Sequence, residues 1–143
     1  MAVSILAAAA SVPSRTAAGT PPITIPLSPS TQVLASVTIA LPAGSPPNNR
    51  VELDATIGIA ATLNVPQVVI SFFRDGSLIF RSQQGLQNGA EQFYCVRAIT
   101  ADFNVPVGAH IYSLAVSRLS SNDPASVAGP ITLSALAFGP VPN

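Results

Sequence analysis

A chain of 143 residues with no Lys, six Arg, six acidic residues and no net charge is a poor nucleic-acid binder, which needs clustered Lys or Arg against phosphate. One Cys and one His cannot make a zinc site within one chain, and no apolar run reaches the ~18 residues of a membrane span. Only 8% of the residues are charged, against about a quarter in an ordinary soluble domain.

That neutrality has a surface consequence. A folded monomer of this length exposes roughly 6,900 Å², or about one charge per 575 Å² where a usual composition gives about one per 190 Å². A neutral surface this sparsely charged tends to associate. The composition therefore predicts that part of the surface meets copies of the same chain.

Residues 1–22 differ from the rest. Ala2–Ala10 is small and apolar, and Ser11–Pro22 holds Ser, Thr, Gly, Ala and three Pro, with Arg15 as its single charge. No Lys or Arg precedes the apolar run, so it reads as part of the mature chain and not as a signal peptide. Its alanines favour a helix, but ten residues are too few to hold one alone in water. The segment reads as an arm that needs a docking surface, with Val3, Ile5, Leu6 and Val12 as its contact residues. Extended, 22 residues reach about 70 Å at ~3.3 Å each, far enough to cross one domain of ~37 Å and enter the next.

From Ile23 to Asn143 the pattern is β. A short strand over Ile23–Leu27 comes first. Val33, Ala35, Val37, Ile39 and Leu41 then alternate with smaller or polar residues. So do Val51, Leu53, Ala55, Ile57 and Ile59 with Glu52, Asp54, Thr56 and Gly58. The turn-rich PAGSPPNN lies between these two runs. Gln67–Arg74 and Ser77–Gln83 flank Asp75-Gly76, the signature of a two-residue type I′ hairpin. That turn predicts Arg74 opposite Ser77, Phe73 opposite Leu78 and Phe72 opposite Ile79. Further strands fall at Glu91–Phe103, Ala109–Leu119 and Ala128–Phe138. Eight short strands with regular turn signals predict an all-β sandwich, with a jelly roll as the natural candidate.

The hairpin is apolar on both faces. One holds Val68, Ile70, Phe72 and Ile79, and the other holds Val69, Phe73, Leu78 and Phe80. A strand apolar on both faces is covered on its outside. The second set is therefore a candidate oligomer interface.

These motifs carry a resemblance. VELDATIGI at 51–59, the FFRDG hairpin at 72–76, VPVGAHIYSLAV at 105–116 and GPITLSALAFGP at 129–140 resemble the C-terminal domains of spore-surface (exosporium) proteins of spore-forming Firmicutes. The resemblance implies a C1q/TNF-like jelly roll over residues 23–143, with 1–22 as an N-terminal extension. It also implies a trimerising subunit at the tip or in the body of a surface filament, outside the cell without a conventional signal peptide. No collagen-like Gly-X-Y run precedes the domain, so connection falls to the arm. Two other readings stay open: a trimeric, lectin-like ligand-binding head, and a viral or phage coat protein.

Chemistry is thinly supplied. His110 is the single histidine, with Asp102 or Asp123 as conceivable partners, but no G-x-S-x-G nucleophile elbow exists. A threefold axis could gather copies of His110 or Asp54 around a cation. Glu52 and Asp54, two apart on one strand face, could act as a glycosidase pair. They could equally be the cross-strand partners of Arg50, Arg97 or Arg118. Phe93 and Tyr94 beside Arg97 could form a sugar platform. Cys95 excludes an intrachain disulfide and reads first as a small buried thiol, otherwise as an intermolecular link. The expected function is assembly with copies of itself, without catalysis, cofactor, metal, nucleic acid or membrane.

Overall fold

A computed structural model describes residues 2–18, 21–61, 63–86 and 94–140. Among them are nine strands and no helix. The strands are β1 (Val3–Ser14), β2 (Ile23–Thr24), β3 (Gln32–Leu41), β4 (Arg50–Ala61), β5 (Gln67–Arg74), β6 (Ser77–Gly85), β7 (Tyr94–Phe103), β8 (Gly108–Arg118) and β9 (Ala125–Pro140). They form a β-sandwich of two antiparallel sheets. The first runs β1-β9-β4-β7, with β2 also on β9, and the second runs β3-β8-β5-β6. The pairing is nested: β5 with β6, β4 with β7, β3 with β8, β1 with β9.

Strand β4 shows why the sandwich closes. Val51, Leu53, Ala55, Ile57 and Ile59 are all fully buried, as their period-two spacing requires. They meet Ile39, Leu114, Val116 and Tyr112 from the second sheet in one core. Each Val, Leu or Ile among them contributes about 1.5–3 kcal/mol on burial.

The hairpin turn is as the sequence predicts, with φ of 50° at Asp75 and 84° at Gly76. Arg74 faces Ser77 and Phe73 faces Leu78. One step further the register slips. Phe72 pairs with Phe80, not Ile79, and their rings lie 5.7 Å apart. Ile79 is the extra residue of a β-bulge, which sets two residues against one and reverses the faces beyond it. Phe80 therefore packs against the core and is not on the outer face. A bulge also displaces the β3 pattern. Leu34 is its extra residue, so Val33 points outward while Val37, Ile39 and Leu41 remain inside.

Residues Val3–Ser14 form the edge strand of the first sheet, paired with the same chain's β9. The sandwich thus begins at Val3 and not at Ile23. The alanines adopt strand geometry because β9, at 16 residues, offers an edge long enough to pair them. A helix of that length would have had only its own backbone bonds. Leu6, the extra residue of a register shift between Ile5 and Ala7, turns inward with Ala7 and Ala9. Val3, Ile5 and Val12 point to solvent.

Two glycines set the contact between β4 and β9. A Cβ on Gly58 would stand 1.8 Å from the Gly129 carbonyl oxygen. Gly129 has a φ of 82°, and a Cβ there would meet the Thr16 carbonyl oxygen at 2.6 Å. The β4–β9 register shifts at this point, between Ile57 and Ile59.

Candidate functional site

One end of the sandwich gathers its polar side chains. Asp102 on β7 accepts hydrogen bonds on a single oxygen, Oδ2, from Arg74 Nη1 at 2.7 Å and the Tyr112 hydroxyl at 2.8 Å. Arg74 and Tyr112 belong to the second sheet, so this carboxylate ties the two layers together. Burial, with the neighbouring carboxylate, pushes the Tyr112 phenol well above its ordinary pKa. Nearby, buried Asn49 donates to the Pro46 and Val105 carbonyls and accepts from the Val105 amide. Among the described residues no buried side-chain polar atom lacks a partner.

His110 lies beside this cluster with both ring nitrogens engaged. Nδ1 meets Asp75 Oδ2 at 2.7 Å, and Nε2 meets the Pro106 carbonyl at 2.7 Å. Both partners are acceptors, so the arrangement is best satisfied by the imidazolium. Its pKa is raised, chiefly by the Asp75 hydrogen bond, and that of Asp75 is lowered, chiefly by His110. The histidine partner is therefore Asp75, not Asp102 or Asp123. Neither ring nitrogen is left free to take a proton from a nucleophile.

A pH dependence follows. A raised His110 pKa stabilises the fold fully below the ordinary histidine value of ~6.5, and the gain is lost as pH rises through the raised value. A lowered Asp75 pKa stabilises above ~3.9 and fades as pH falls through the lowered value. The contact is strongest between about pH 4 and 6.5. The thermal midpoint of the protein is expected to fall on going from pH 6 to 9 by more than that of His110→Gln. Parallel curves would show that the contact contributes nothing.

The acids of β4 are ion-paired. Asp54 takes a bidentate grip from Arg97, at 3.1 Å to Nε and 2.6 Å to Nη2. Arg97 reaches diagonally across the strand pair, since Asp54 faces Ile99 directly. Glu52 lies 3.3 Å from Arg50, whose guanidinium also stacks 4.0 Å over the Phe138 ring. The two carboxylates are thus neutralised separately and are not aimed at a shared substrate. Arg118 goes elsewhere, donating to the Ile25 and Ser120 carbonyls. Cys95 is exposed on β7, not buried, because it faces Gly58 near the end of that edge strand. Phe93 lies outside the described residues, and Tyr94 is exposed.

Once these charges are paired, the outer face of the first sheet is largely apolar. One cross-strand row runs Ile5, Phe138, Arg50, Phe103, and another runs Ala10, Ser134, Asp54, Ile99. Ile5 is 71% exposed and Phe103 63%. Val3, Val12, Ile99 and Leu136 are exposed as well. Of the predicted arm contacts, Val3, Ile5 and Val12 therefore lie on this face or its rim, and Leu6 does not. No motif singles out Ile99, Phe103 and Leu136 in the sequence, although Ile99 alternates with the inward Ala98 and Val96 in the strand rhythm. On the second sheet the predicted outer set is split. Val69, Phe73 and Leu78 line one groove with Ser28, Pro29 and Thr31, and Val69 is buried in it. Phe73 is half-buried and Leu78 is exposed, whereas Phe80, also half-buried, packs against the core from the other face.

The charges are also divided between the two sides of the sandwich. Strands β1, β2, β3 and β9 carry no charged side chain. Edge strand β1 lies over edge strand β3, so the edge strands on one side of the molecule are uncharged in both layers, with exposed Arg15 just past the end of β1. The opposite edges carry Arg97 and Asp102 on β7 and Arg81 on β6.

No family model and no curated protein matches the chain. Among solved structures, it resembles part of the dimeric latent PorU from Porphyromonas gingivalis, with 12% identity and a TM-score of 0.50. The match covers 81% of this chain and 10% of that one, so the chain spans about a tenth of the length of that structure. At this identity the likeness concerns the fold alone.

Proposed function

We propose that this chain is a structural subunit that assembles with copies of itself, its sandwich wound as a jelly roll. The nested strand order supports the winding, because it is what a single long hairpin gives when it is rolled up with Asp75-Gly76 at its tip. The observation that carries the assembly reading is the pair of uncharged edge strands, β1 and β3, on one side of the molecule. Natural edge strands are usually blunted by Lys, Pro or inward charges, and long apolar edges pair with other chains. The exposed apolar face of the first sheet continues from that side. A surface fibre, as on a spore, is the setting that the sequence resemblance implies, with the N-terminal strand as one contact and the exposed apolar face of the first sheet as a second.

Sedimentation and negative-stain microscopy of the purified chain test this. With so few ion pairs, each worth ~0–1 kcal/mol when exposed, apolar burial and strand pairing must hold any assembly. Raising NaCl from 50 mM to 1 M shrinks the Debye length from about 14 Å to about 3 Å. The assembled species is expected to persist through that change. A monomer at both salt concentrations defeats the reading, and dissociation at 1 M alone would make the assembly a charge-steered one.

A further inference from the structure

The self-assembly reading leaves open which surface meets which. We propose that β1 pairs antiparallel with β1 of a second copy, about a twofold axis normal to the sheets near Ala9, so that the first sheet continues across two molecules. The proposal rests on the self-assembly reading and adds the interface to it.

Four observations carry it. First, β1 is an edge: its inner side is paired to β9, and it ends the strand order of its sheet. Alternate N–H and C=O groups of an antiparallel edge strand point away from its partner and need other partners. Second, charge and proline, two of the usual protections, are missing from its middle, and the bulges lie toward its ends. The segment VSILAAAASV holds no charge and no Pro, with Pro13 only beyond it. Two register shifts, at Ile5/Ala7 and Ser11/Ser14, leave a regular stretch from Ala7 to Ser11.

Third, that stretch suits self-pairing. Centred on Ala9, it sets Ala8 against Ala10 of the copy on the outer face and Ala7 against Ser11 on the inner face. Every cross-strand pair in this stretch is small and uncharged; Ala9 meets Ala9 of the copy once, on the axis, and each other pair appears twice, as a twofold interface requires. Fourth, the size is adequate. Twelve residues at ~3.3 Å give an edge about 40 Å long. Two layers ~10 Å apart, with their side chains, make it about 20 Å deep, or about 800 Å² per copy, the standard for a stable interface. The same axis brings uncharged β3 to β3 of the copy in the second layer. The other side of the sandwich, with Arg81, Arg97 and Asp102 at its edges, would bury charge in the same arrangement.

Ala8 and Ala10 are exposed on the outer face, so both accept long side chains without disturbing the core. Ala8→Arg with Ala10→Arg places two like-charged pairs directly across the proposed seam. Ala8→Glu with Ala10→Arg places an opposite-charge pair at the same two places. In sedimentation, the double-Arg variant is expected to associate at least tenfold more weakly than the parent chain, and the Glu/Arg variant within a few-fold of it. Hydrogen exchange provides a reading that needs no variant. Consecutive amides from Ala7 to Ser11 should be protected at high protein concentration and only alternate ones at low concentration. A parent chain that assembles while the double-Arg variant keeps its size, or while alternate amides stay open at high concentration, overturns the edge and leaves self-assembly standing. A parent chain that remains a monomer overturns both.

Discussion

Gly58→Ala is expected to lower stability by about 3 kcal/mol, the upper end for overpacking. The added methyl would stand 1.8 Å from the Gly129 carbonyl oxygen, which is backbone and not the end of a movable side chain. Gly129 cannot retreat freely. Its own conformation is left-handed, and the space where a Cβ would go is closed by Thr16 and Ser14. The clash lies between β4 and β9, two neighbours inside the first sheet, so relief means parting the strands that hold the sandwich together. Against a total of ~5–15 kcal/mol the loss is large. At roughly 4 °C per kcal/mol, the thermal midpoint should fall by about 12 °C. A melt at the parent temperature would show that the two strands have slack here.

Asp102→Ala should cost about 3 kcal/mol for a different reason. One carboxylate oxygen serves both Arg74 and the buried Tyr112 hydroxyl, so the truncation strands two donors at once. A buried donor left without a partner costs about 1–3 kcal/mol, more when charged. Asp102→Asn retains a carbonyl acceptor and should lose about half as much. Tyr112→Phe removes one of the stranded donors, so the double variant with Asp102→Ala should be less destabilised than the sum of the two singles. Urea melts of the four proteins complete the cycle. Strict additivity would mean that Tyr112 and Asp102 do not depend on each other.

What the sequence discloses about this molecule depends on range. The alternation from Val51 to Ile59 and the Asp75-Gly76 turn are local signals, and the strands and turn they mark are in the structure. The bulges at Leu6, Leu34 and Ile79 are not local. Each is set by the partner strand, and a window that sees period two continues it past the break. That is how Phe80 reads as an outer residue although it packs on Phe72. The alanine run shows the same limit. Its helical propensity is intrinsic, but the β9 edge that decides against a helix lies more than a hundred residues away. Pairing of Asp54 with Arg97 was one of several options until the register placed β7 beside β4. The bond from Tyr112 and Arg74 to Asp102 joins two sheets whose stacking no single stretch of sequence describes.

The nested pairing also orders events in time. Between Ser14 and Ala125 lie 110 residues, and at ~5–20 residues per second β1 leaves the ribosome some 5–20 s before its partner strand exists. Through that interval the most associative strand of the molecule has no native place to go. The inner hairpin of β5 and β6 closes over short range, whereas the strand pairs outside it span ever longer loops. Newly made chains that crowd together would meet first through β1, the same edge proposed to join finished ones. Synthesis and assembly therefore compete for a single strand, and the rate at which β9 arrives decides which of them captures it.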